Sequence, residues 1–336
     1  MKKVSIIGAG SFGTALSVVL GQGGYPVMLW AREKEVVEGI SNSRKNPSYL
    51  TDVELPESVS ASASLDEVLS DTGMVLFATP THAIRDVATT IKPKLKGHEI
   101  VVTVSKGIEK DTFMTPSQIL VEVLEGKILE DQVGVLVGPS HAEEVGKFKP
   151  TTVVAAANSK RVARIIQQTF MTPMFRVYLN HDIMGVEIGA ALKNIMAIAA
   201  GIADGAELGD NAKAALITRG LHELKRMGVE LGASQDTFSG LTGMGDLIVT
   251  CTSEHSRNRY VGYNIGQGKK LDEIIEGMNM VAEGVKTTNS VHQWAIKNNI
   301  EMPITNAVYR VLFENIDPKD ALYELMTRNP KEEKMI

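Results

Sequence analysis

Short apolar runs alternate with amphipathic helical patterns through the first half of the chain. The runs are rich in Val and Ile, and each is bounded by Gly, Pro or polar turn residues; they fall at 4–7, 27–30, 74–78, 100–104, 133–137, 152–156 and 174–178. The helical patterns between them fall at 12–21, 65–70, 83–91 and 160–170. This alternation predicts a parallel sheet covered by helices.

From about residue 180 the alternation stops and helical patterns dominate. They fall at 183–203, 211–227, 235–241, 256–267, 271–277, 287–298 and 303–315. A chain of 336 residues is long enough for two domains. The sequence therefore predicts an α/β protein with a doubly wound N-terminal sheet over 1–180 and an all-helical domain over 181–336.

The composition and the net charge argue against nucleic-acid and membrane partners, internal disulfides and a metal site. The net charge of -5 gives no reason to expect a nucleic-acid or membrane partner. The single cysteine, Cys251, excludes an internal disulfide framework and is expected to be a small core or wall residue rather than a nucleophile. The 7 histidines show no HxxxH or HxH spacing, so no metal site is predicted. The apolar segment 183–203 carries Glu187 and Lys193, whose insertion into a membrane is costly, so we expect a buried helix in a cytoplasmic protein.

Three glycines follow the first predicted strand and open the first predicted helix. Gly8, Gly10 and Gly13 have the G-x-G-x-x-G spacing. Such glycines permit a tight turn, close approach of backbone to a pyrophosphate, and close helix–strand packing. Strand, glycines, helix and second strand all fall at the required spacing, and the helix N-terminus favours phosphate. We therefore predict a dinucleotide site here and interpret 1–180 as a Rossmann-type, dinucleotide-binding domain.

The end of the second strand bears on the choice of cofactor. Arg32 favours the 2′-phosphate of NADP(H), whereas Glu33 suits the ribose hydroxyls of NAD(H) or repels a phosphate. Both are also plausible as ordinary solvated charges. The sequence leaves NADP(H) and NAD(H) open.

Other strand exits and one buried cation indicate a substrate site. Polar residues follow the strands at 79–81, 105–107 and 138–144, where doubly wound sheets bind ligands. His141 in the last of these is expected to be a capping or surface histidine. Lys193 interrupts a Gly/Ala-rich helix, so it must snorkel, pair with an acid or have its ammonium partly desolvated, and we favour a functional role. Glu187 is six positions away and does not share its helix face.

The segment 239–268 concentrates further polar chemistry. Gly243 and Gly245 bring backbone close to Asp246. The triplet 256–258 places a hydroxyl, a guanidinium and an amide at a helix start, which suits a phosphate. The alternative is that Ser256 is a plain N-cap and Arg257 a surface charge.

Taken together, these motifs resemble bacterial NAD(P)-dependent glycerol-3-phosphate dehydrogenases. The resemblance runs to about residue 330 and rests on GAGSFGTA (8–15), VSKGIE (104–109), GPSHAEEV (138–145), the block around LKN (189–205), the block from LTGMGDL to SRNRYVG (241–262) and VAEGVKT (281–287). It implies reversible reduction of dihydroxyacetone phosphate to sn-glycerol 3-phosphate, which feeds glycerophospholipid synthesis, and a homodimer.

The resemblance also implies residue roles. Lys193 matches the proton donor and acceptor. Substrate-binding positions are Lys106, Gly138, Ser140, Lys193, Asp246, Ser256, Arg257 and Asn258. Dinucleotide-binding positions, together with the three glycines, are Ser11, Phe12, Arg32, Tyr49, Lys106, Ala142, Arg257, Val281 and Glu283. Relatives commonly have a second basic residue where this chain has Glu33, which puts a strict NADPH preference in doubt.

The residue types suggest a mechanism and two alternatives. In the helical domain, which would carry the substrate and the catalytic residues, Lys193 would protonate the substrate oxygen, with a pKa lowered by desolvation or by Lys106. Asp246 would orient Lys193 or accept from the substrate hydroxyl. One alternative is a related Rossmann enzyme such as a ketopantoate reductase or β-hydroxyacid dehydrogenase. The other is a non-catalytic dinucleotide sensor, for which Lys106, Lys193 and Asp246 would have no purpose.

Overall fold

A computed structural model describes residues 2–278 and 282–333 of the chain. The chain divides into two compact units. We call Met1–Ser105 with Pro116–Ile183 the sheet unit, and Lys106–Thr115 with Met184–Ile336 the helical unit. The change from one unit to the other near residue 183 lies close to the predicted boundary at 180. The sequence analysis did not anticipate that 106–115 belongs to the helical unit.

The sheet unit is built on one sheet, which has eight strands in the described residues. The strands are β1 Lys3–Ile7, β2 Val27–Trp30, β3 Val59–Ser62, β4 Thr72–Phe77, β5 Ile100–Thr103, β6 Val133–Val137, β7 Thr151–Ala157 and β8 Phe175–Asn180. Their order is β3-β2-β1-β4-β5-β6-β7-β8. All neighbours are parallel except β6 and β7. The first six strands have the order of a dinucleotide-binding doubly wound sheet, with its switch point between β1 and β4.

Helices cover this sheet and bury its apolar side chains. They are α1 Ser11–Gln22, α2 Lys34–Ser43, α3 Leu65–Leu69, α4 Ile84–Ile91, α5 Pro116–Leu124, α6 Ala142–Gly146 and α7 Lys160–Phe170. The core includes Ile6, Leu16, Leu29, Leu76 and Ile166, each fully buried. The apolar residues of the strands and of the helices thus pack into the same core, as predicted for a doubly wound fold.

The helical unit follows from α8 onward. Its helices are α8 Ile183–Gly205, α9 Asp210–Glu230, α10 Asp246–Thr252, α11 Arg257–Gly266, α12 Leu271–Glu276, α13 Glu283–Asn298, α14 Pro303–Phe313 and α15 Pro318–Met326. The predicted helix at 235–241 is instead a 3₁₀ turn over Gln235–Ser239 followed by a π-helical turn over Leu241–Gly245. The glycines of that turn permit close packing, since a Cβ at Gly243 would lie 2.0 Å from the carbonyl oxygen of Phe238.

The long helix α8 forms the core of the helical unit. Among the described helices it alone has the length and apolar composition of a membrane span, and 89% of its most apolar stretch is buried inside the protein. Its small residues allow backbone-to-backbone packing against α11. A Cβ at Gly201 would lie 2.1 Å from the carbonyl oxygen of Arg259, and one at Gly262 would lie 2.0 Å from that of Ile198. The buried helix predicted from sequence is confirmed.

Candidate functional site

The glycine turn between β1 and α1 has the shape that a dinucleotide phosphate requires. Gly8 has φ +115°, a conformation that L side chains rarely adopt, and a Cβ at Gly13 would lie 2.0 Å from the carbonyl oxygen of Gly8. A Cβ at Gly10 would meet nothing within 4 Å, so the turn is open at this point. Gly10 is the N-cap of α1 and brings no side-chain cap to the helix terminus. The turn and the helix terminus therefore fit a pyrophosphate. Ser11 and Phe12 begin this helix.

Arg32 and Glu33 follow β2 and bind each other. The guanidinium of Arg32 donates to Glu33 Oε1 at 3.1 and 3.3 Å, and the two side chains are 83% and 53% exposed. Glu33 is also the N-cap of α2. The guanidinium that follows this strand is thus partly neutralised by its neighbour, which weakens its attraction for a 2′-phosphate.

The remaining predicted residues of the sheet unit lie in two loops. Gly138 and Ser140 follow β6, at the same edge of the parallel sheet as Gly8, and Ser140 Oγ donates to the carbonyl of Gly138 at 2.9 Å. Ala142 begins the short helix α6, and His141 is its N-cap residue. Tyr49 lies in the loop after α2.

In the helical unit, one buried carboxylate binds two lysines. Lys193 Nζ donates to Asp246 Oδ1 at 2.5 Å, and Lys106 Nζ donates to Asp246 Oδ2 at 3.1 Å. The side chains of Lys193, Lys106 and Asp246 are only 6%, 16% and 1% exposed. Lys193 therefore pairs with Asp246 and not with Glu187, whose carboxylate accepts from Thr115 at 2.7 Å. The structure brings together three residues that lie far apart in the sequence.

Burial lowers the pKa of Lys193 to about 7, because the ammonium loses its hydration. The charge of Asp246 raises this pKa and the charge of Lys106 lowers it, so the two neighbours act in opposite directions. A pKa near neutrality lets the same amine release and recover a proton at working pH. The lowering expected from the sequence is present, and its largest cause is desolvation.

Thr250 also contacts Lys193, a contact that sequence analysis did not identify. Its hydroxyl accepts from Lys193 Nζ at 2.7 Å and donates to the carbonyl of Asp246 at 2.5 Å. Thr250 lies four residues after Asp246 in α10, and this spacing places both on one helix face. This four-residue spacing could have identified Thr250 from the sequence once Asp246 had been selected as a site residue.

Two asparagine side chains connect the backbone of Lys106 to the start of α13 through hydrogen bonds. Asn194 Nδ2 donates to the carbonyl of Lys106 at 3.1 Å, and Asn194 Oδ1 accepts from Asn258 Nδ2 at 3.0 Å. Asn258 Oδ1 in turn accepts from the backbone N–H of Gly284 at 2.9 Å. Asn194 was not among the predicted site residues. Its contact fixes the backbone that carries Lys106, and Glu283 lies at the linked end of α13.

The polar residues at the start of α11 make different contacts. Ser256 is the N-cap, and its Oγ accepts from the backbone N–H of Arg259 at 3.2 Å. Arg257 is exposed at the first helical position. Arg259 binds Asp204 at 2.6 Å, and Asp204 also binds Lys213 at 2.6 Å, which fixes α11 on α8 and α9.

Two further predictions concern groups outside this cluster. Cys251 is buried, and burial raises its pKa to about 12, so its thiol stays protonated and serves as a wall residue. Within 2–278 and 282–333, no group of three or more His, Cys, Asp or Glu side chains is placed to hold a metal ion. Val281, predicted to contact the dinucleotide, lies outside the described residues.

Known families match both units. The N-terminal model of NAD-dependent glycerol-3-phosphate dehydrogenase matches residues 3–163, and the C-terminal model matches 182–323. A relative from Salinibacter ruber named glycerol-3-phosphate dehydrogenase [NAD(P)+] 2 is 52% identical, covering 98% of this chain and 96% of its own. A relative from Staphylococcus haemolyticus, named glycerol-3-phosphate dehydrogenase [NAD(P)+], is 48% identical, covering 99% and 100%.

Solved structures agree with the sequence matches. The crystal structure of glycerol-3-phosphate dehydrogenase from Coxiella burnetii has a TM-score of 0.91 and 38% identity, covering 97% of this chain and 99% of its own. A ketopantoate reductase from Ralstonia eutropha has a TM-score of 0.59 and 15% identity, covering 95% and 99%. The second likeness shows the fold alone.

Proposed function

The chain belongs to the NAD-dependent glycerol-3-phosphate dehydrogenase family, and we propose on this premise that it reversibly reduces dihydroxyacetone phosphate to sn-glycerol 3-phosphate. It is an oxidoreductase that uses NAD(P)H. The observation that carries the substrate assignment is the buried contact of Lys193 and Lys106 with Asp246, in a chain matched by this family over both units.

Bound NAD(P)H supplies the hydride that reaches the carbonyl carbon of the substrate. As that carbon is reduced, negative charge develops on the carbonyl oxygen. The Lys193 ammonium gives this oxygen a proton, an O–H bond forms, and the lysine is left as a neutral amine. In the reverse direction the neutral amine takes the proton back from the hydroxyl. With one proton consumed, ketone and NAD(P)H become alcohol and NAD(P)+, so the step balances.

Asp246 and Thr250 hold Lys193 for this transfer. Both accept from its Nζ, at 2.5 and 2.7 Å, so two of the three ammonium hydrogens are directed to fixed acceptors. The third hydrogen is the one that the substrate oxygen would accept. Lys106 Nζ donates to the same carboxylate and would stabilise developing negative charge on the substrate oxygen.

Arg257 is the proposed anchor for the substrate phosphate. Its exposed guanidinium stands at the first position of α11, where the helix dipole also favours an anion, and it can bind phosphate with two hydrogen bonds. Ser256, Asn258, Gly138 and Ser140 complete the proposed substrate-binding set. For Ser256 and Asn258 the hydrogen bonds within the protein support a positioning role.

The dinucleotide is assigned to the sheet unit on the shape of the glycine turn. Gly8, Gly10 and Gly13 with Ser11 and Phe12 would bind its pyrophosphate. Arg32, Tyr49 and Ala142 complete the proposed set in this unit, and Lys106, Arg257, Val281 and Glu283 complete it in the helical unit.

The experiment that tests this function is a spectrophotometric assay of NAD(P)H oxidation at 340 nm. Dihydroxyacetone phosphate, unphosphorylated dihydroxyacetone and ketopantoate are compared, each with NADH and with NADPH. We expect turnover with the triose phosphate at a kcat/KM at least about 100-fold above that with the other two, because only it offers an anion to Arg257. Turnover of ketopantoate alone would favour the related reductase. Dinucleotide binding without any turnover would favour a sensor.

Location and assembly are also proposed. We place the enzyme in the cytoplasm, where its product would enter glycerophospholipid synthesis, and we propose a homodimer without nucleic-acid or membrane partners. The net charge of -5 and the burial of α8 support the proposal that nucleic acid and membrane are not partners, whereas the homodimer rests on the resemblance to the family. Light scattering on the purified protein would give twice the 36.4 kDa chain mass for the dimer, and the single chain mass would contradict it.

A further inference from the structure

Asn46 has a fully buried side chain that uses all of its hydrogen-bonding capacity. It lies in the loop between α2 and β3 and is 0% exposed. Its Nδ2 donates to the carbonyl of Ala9 at 2.8 Å and to Thr14 Oγ1 at 2.9 Å. Its Oδ1 accepts from the backbone N–H groups of Ser48 and Tyr49, both at 3.0 Å. An amide has two N–H donors and two acceptor lone pairs, so this arrangement leaves none unused.

The first pair of hydrogen bonds fixes a peptide unit of the glycine turn. The carbonyl of Ala9 and the N–H of Gly10 belong to one planar trans peptide, so they point in opposite directions. Because Asn46 holds the Ala9 carbonyl toward the protein interior, the Gly10 N–H points away from it. Gly10 is the N-cap of α1, and the space around its missing Cβ is open. The N–H is thus presented on the side of the turn where a pyrophosphate would bind.

The second pair of hydrogen bonds fixes the backbone at Tyr49. An Asn side chain that accepts from N–H groups two and three residues ahead closes a local turn. Pro47 restrains Asn46 to an extended backbone and packs closely on α2, since a Cβ at Gly39 would lie 2.6 Å from Pro47 Cδ. One side chain therefore ties the loop that carries Tyr49 to the glycine turn.

We infer that Asn46 is a positioning residue for the dinucleotide, because it orients the Gly10 N–H toward the pyrophosphate and holds Tyr49 in register with it. The inference rests on the proposed function only in taking a dinucleotide as the ligand. Asn46 acts through the backbone of Ala9, Gly10 and Tyr49, because its fully buried side chain presents no surface to a ligand.

The test is the affinity for ADP-ribose, which carries the pyrophosphate but cannot transfer a hydride. Isothermal titration calorimetry compares the wild-type protein with Asn46→Asp, which keeps the shape of the side chain and cannot donate to the Ala9 carbonyl. We expect the Kd of Asn46→Asp to rise about tenfold or more, the factor that corresponds to 1.4 kcal/mol. The matched control is Asn264→Asp, a buried asparagine of the helical unit, whose Kd should stay within about twofold of wild type.

Steady-state kinetics supply a second measurement. In Asn46→Asp the KM for NAD(P)H should rise by a similar factor, while the KM for dihydroxyacetone phosphate at saturating cofactor stays within about twofold. A purely structural role would lower the melting temperature and leave the Kd for ADP-ribose unchanged, and that result would overturn the inference.

A milder variant keeps the test decisive if Asn46→Asp does not fold. Thr14→Val retains Asn46 but removes its acceptor and the 3.3 Å donation from Thr14 Oγ1 to the Ala9 carbonyl. We expect a Kd for ADP-ribose about threefold weaker, and an unchanged Kd would again overturn the inference. Wild-type protein that binds no ADP-ribose would overturn the dinucleotide assignment itself, whereas absent turnover with normal ADP-ribose binding would overturn only the proposed reaction.

Discussion

Lys193 donates to one oxygen of Asp246 while Lys106 donates to the other, so a single buried carboxylate orients two cations. The carboxylate stabilises the charged form of Lys193 against a desolvation that would otherwise lower its pKa further. This balance sets the pKa of Lys193 at about 7. The same contact also fixes the direction of the proton that Lys193 can give.

Asp246→Asn is expected to move the pH dependence of the reaction. Asp246 raises the pKa of Lys193, so removing its charge lowers that pKa below about 7. Reduction of the ketone requires the protonated lysine, and kcat/KM in this direction should fall as pH rises through the pKa. The falling limb should therefore lie at lower pH in Asp246→Asn than in the wild type, with kcat also reduced about 100-fold. A limb at unchanged or higher pH would contradict the pairing.

Arg257→Ala should weaken recognition of the phosphorylated substrate. Losing a bidentate contact to phosphate costs about 2–3 kcal/mol, so kcat/KM for dihydroxyacetone phosphate should fall about 30- to 150-fold. With NAD(P)H saturating, so that the proposed contact of Arg257 with the dinucleotide does not limit the rate, the kcat/KM for dihydroxyacetone should change little, because that substrate has no phosphate. Arg161→Ala, an exposed arginine of α7, is the control and should change neither value. Equal losses with both substrates would show that Arg257 does not bind the phosphate.

The negative charge of Glu33 is expected to weaken the binding of NADPH. Two unit charges about 4 Å apart interact by about 1 kcal/mol in water, and a phosphate carries more than one charge. Glu33→Gln should therefore raise the ratio of kcat/KM with NADPH to that with NADH by roughly tenfold, and Glu33→Arg by more. Glu35→Gln removes an exposed acid from the first turn of the same helix and should have a smaller effect. A ratio that stays constant in both Glu33 variants would show that Glu33 lies outside the cofactor site.

Close backbone packing between α8 and α11 should make Gly201 intolerant of a methyl group. In Gly201→Ala the new Cβ would lie 2.1 Å from the carbonyl of Arg259, so the helices must separate. Overpacking of this kind costs about 1–3 kcal/mol, and the melting temperature should fall by several degrees. In Gly277→Ala the Cβ would make only ordinary contacts at 3.7 Å, so this control should melt near the wild-type temperature. Equal melting temperatures for both variants would contradict the packing.

The pattern of apolar and polar residues predicted much of the fold, because it reflects which face of each strand or helix is buried. The β-branched strands and the apolar helix α8 were found within a few residues of their bounds. The strand Val59–Ser62 was missed because its sequence, VSAS, has a single β-branched residue and no aromatic residue. Helix α2 was missed because a largely polar surface helix gives a weak apolar signal.

Such patterns predicted less of the candidate site, because the residues that contact each other there lie far apart in the sequence. Lys193 and Asp246 are 53 positions apart, and Lys106 and Asp246 are 140 apart. No spacing rule connects residues at these separations, so only the resemblance to known dehydrogenases brought them together. Asn194 was missed because its partners, the carbonyl of Lys106 and the amide of Asn258, become its neighbours only in the folded chain.

The most direct test of proton transfer by Lys193 is the kcat of Lys193→Met for reduction of dihydroxyacetone phosphate. Methionine fills the space of the side chain without its ammonium, and Lys106 remains paired with Asp246. Lys96→Met, an exposed lysine of the sheet unit, serves as the control, and ADP-ribose binding reports that each variant is folded. The account predicts a loss in kcat of at least about 100-fold for Lys193→Met and none for the control. A kcat for Lys193→Met within a few-fold of the wild-type value would contradict it.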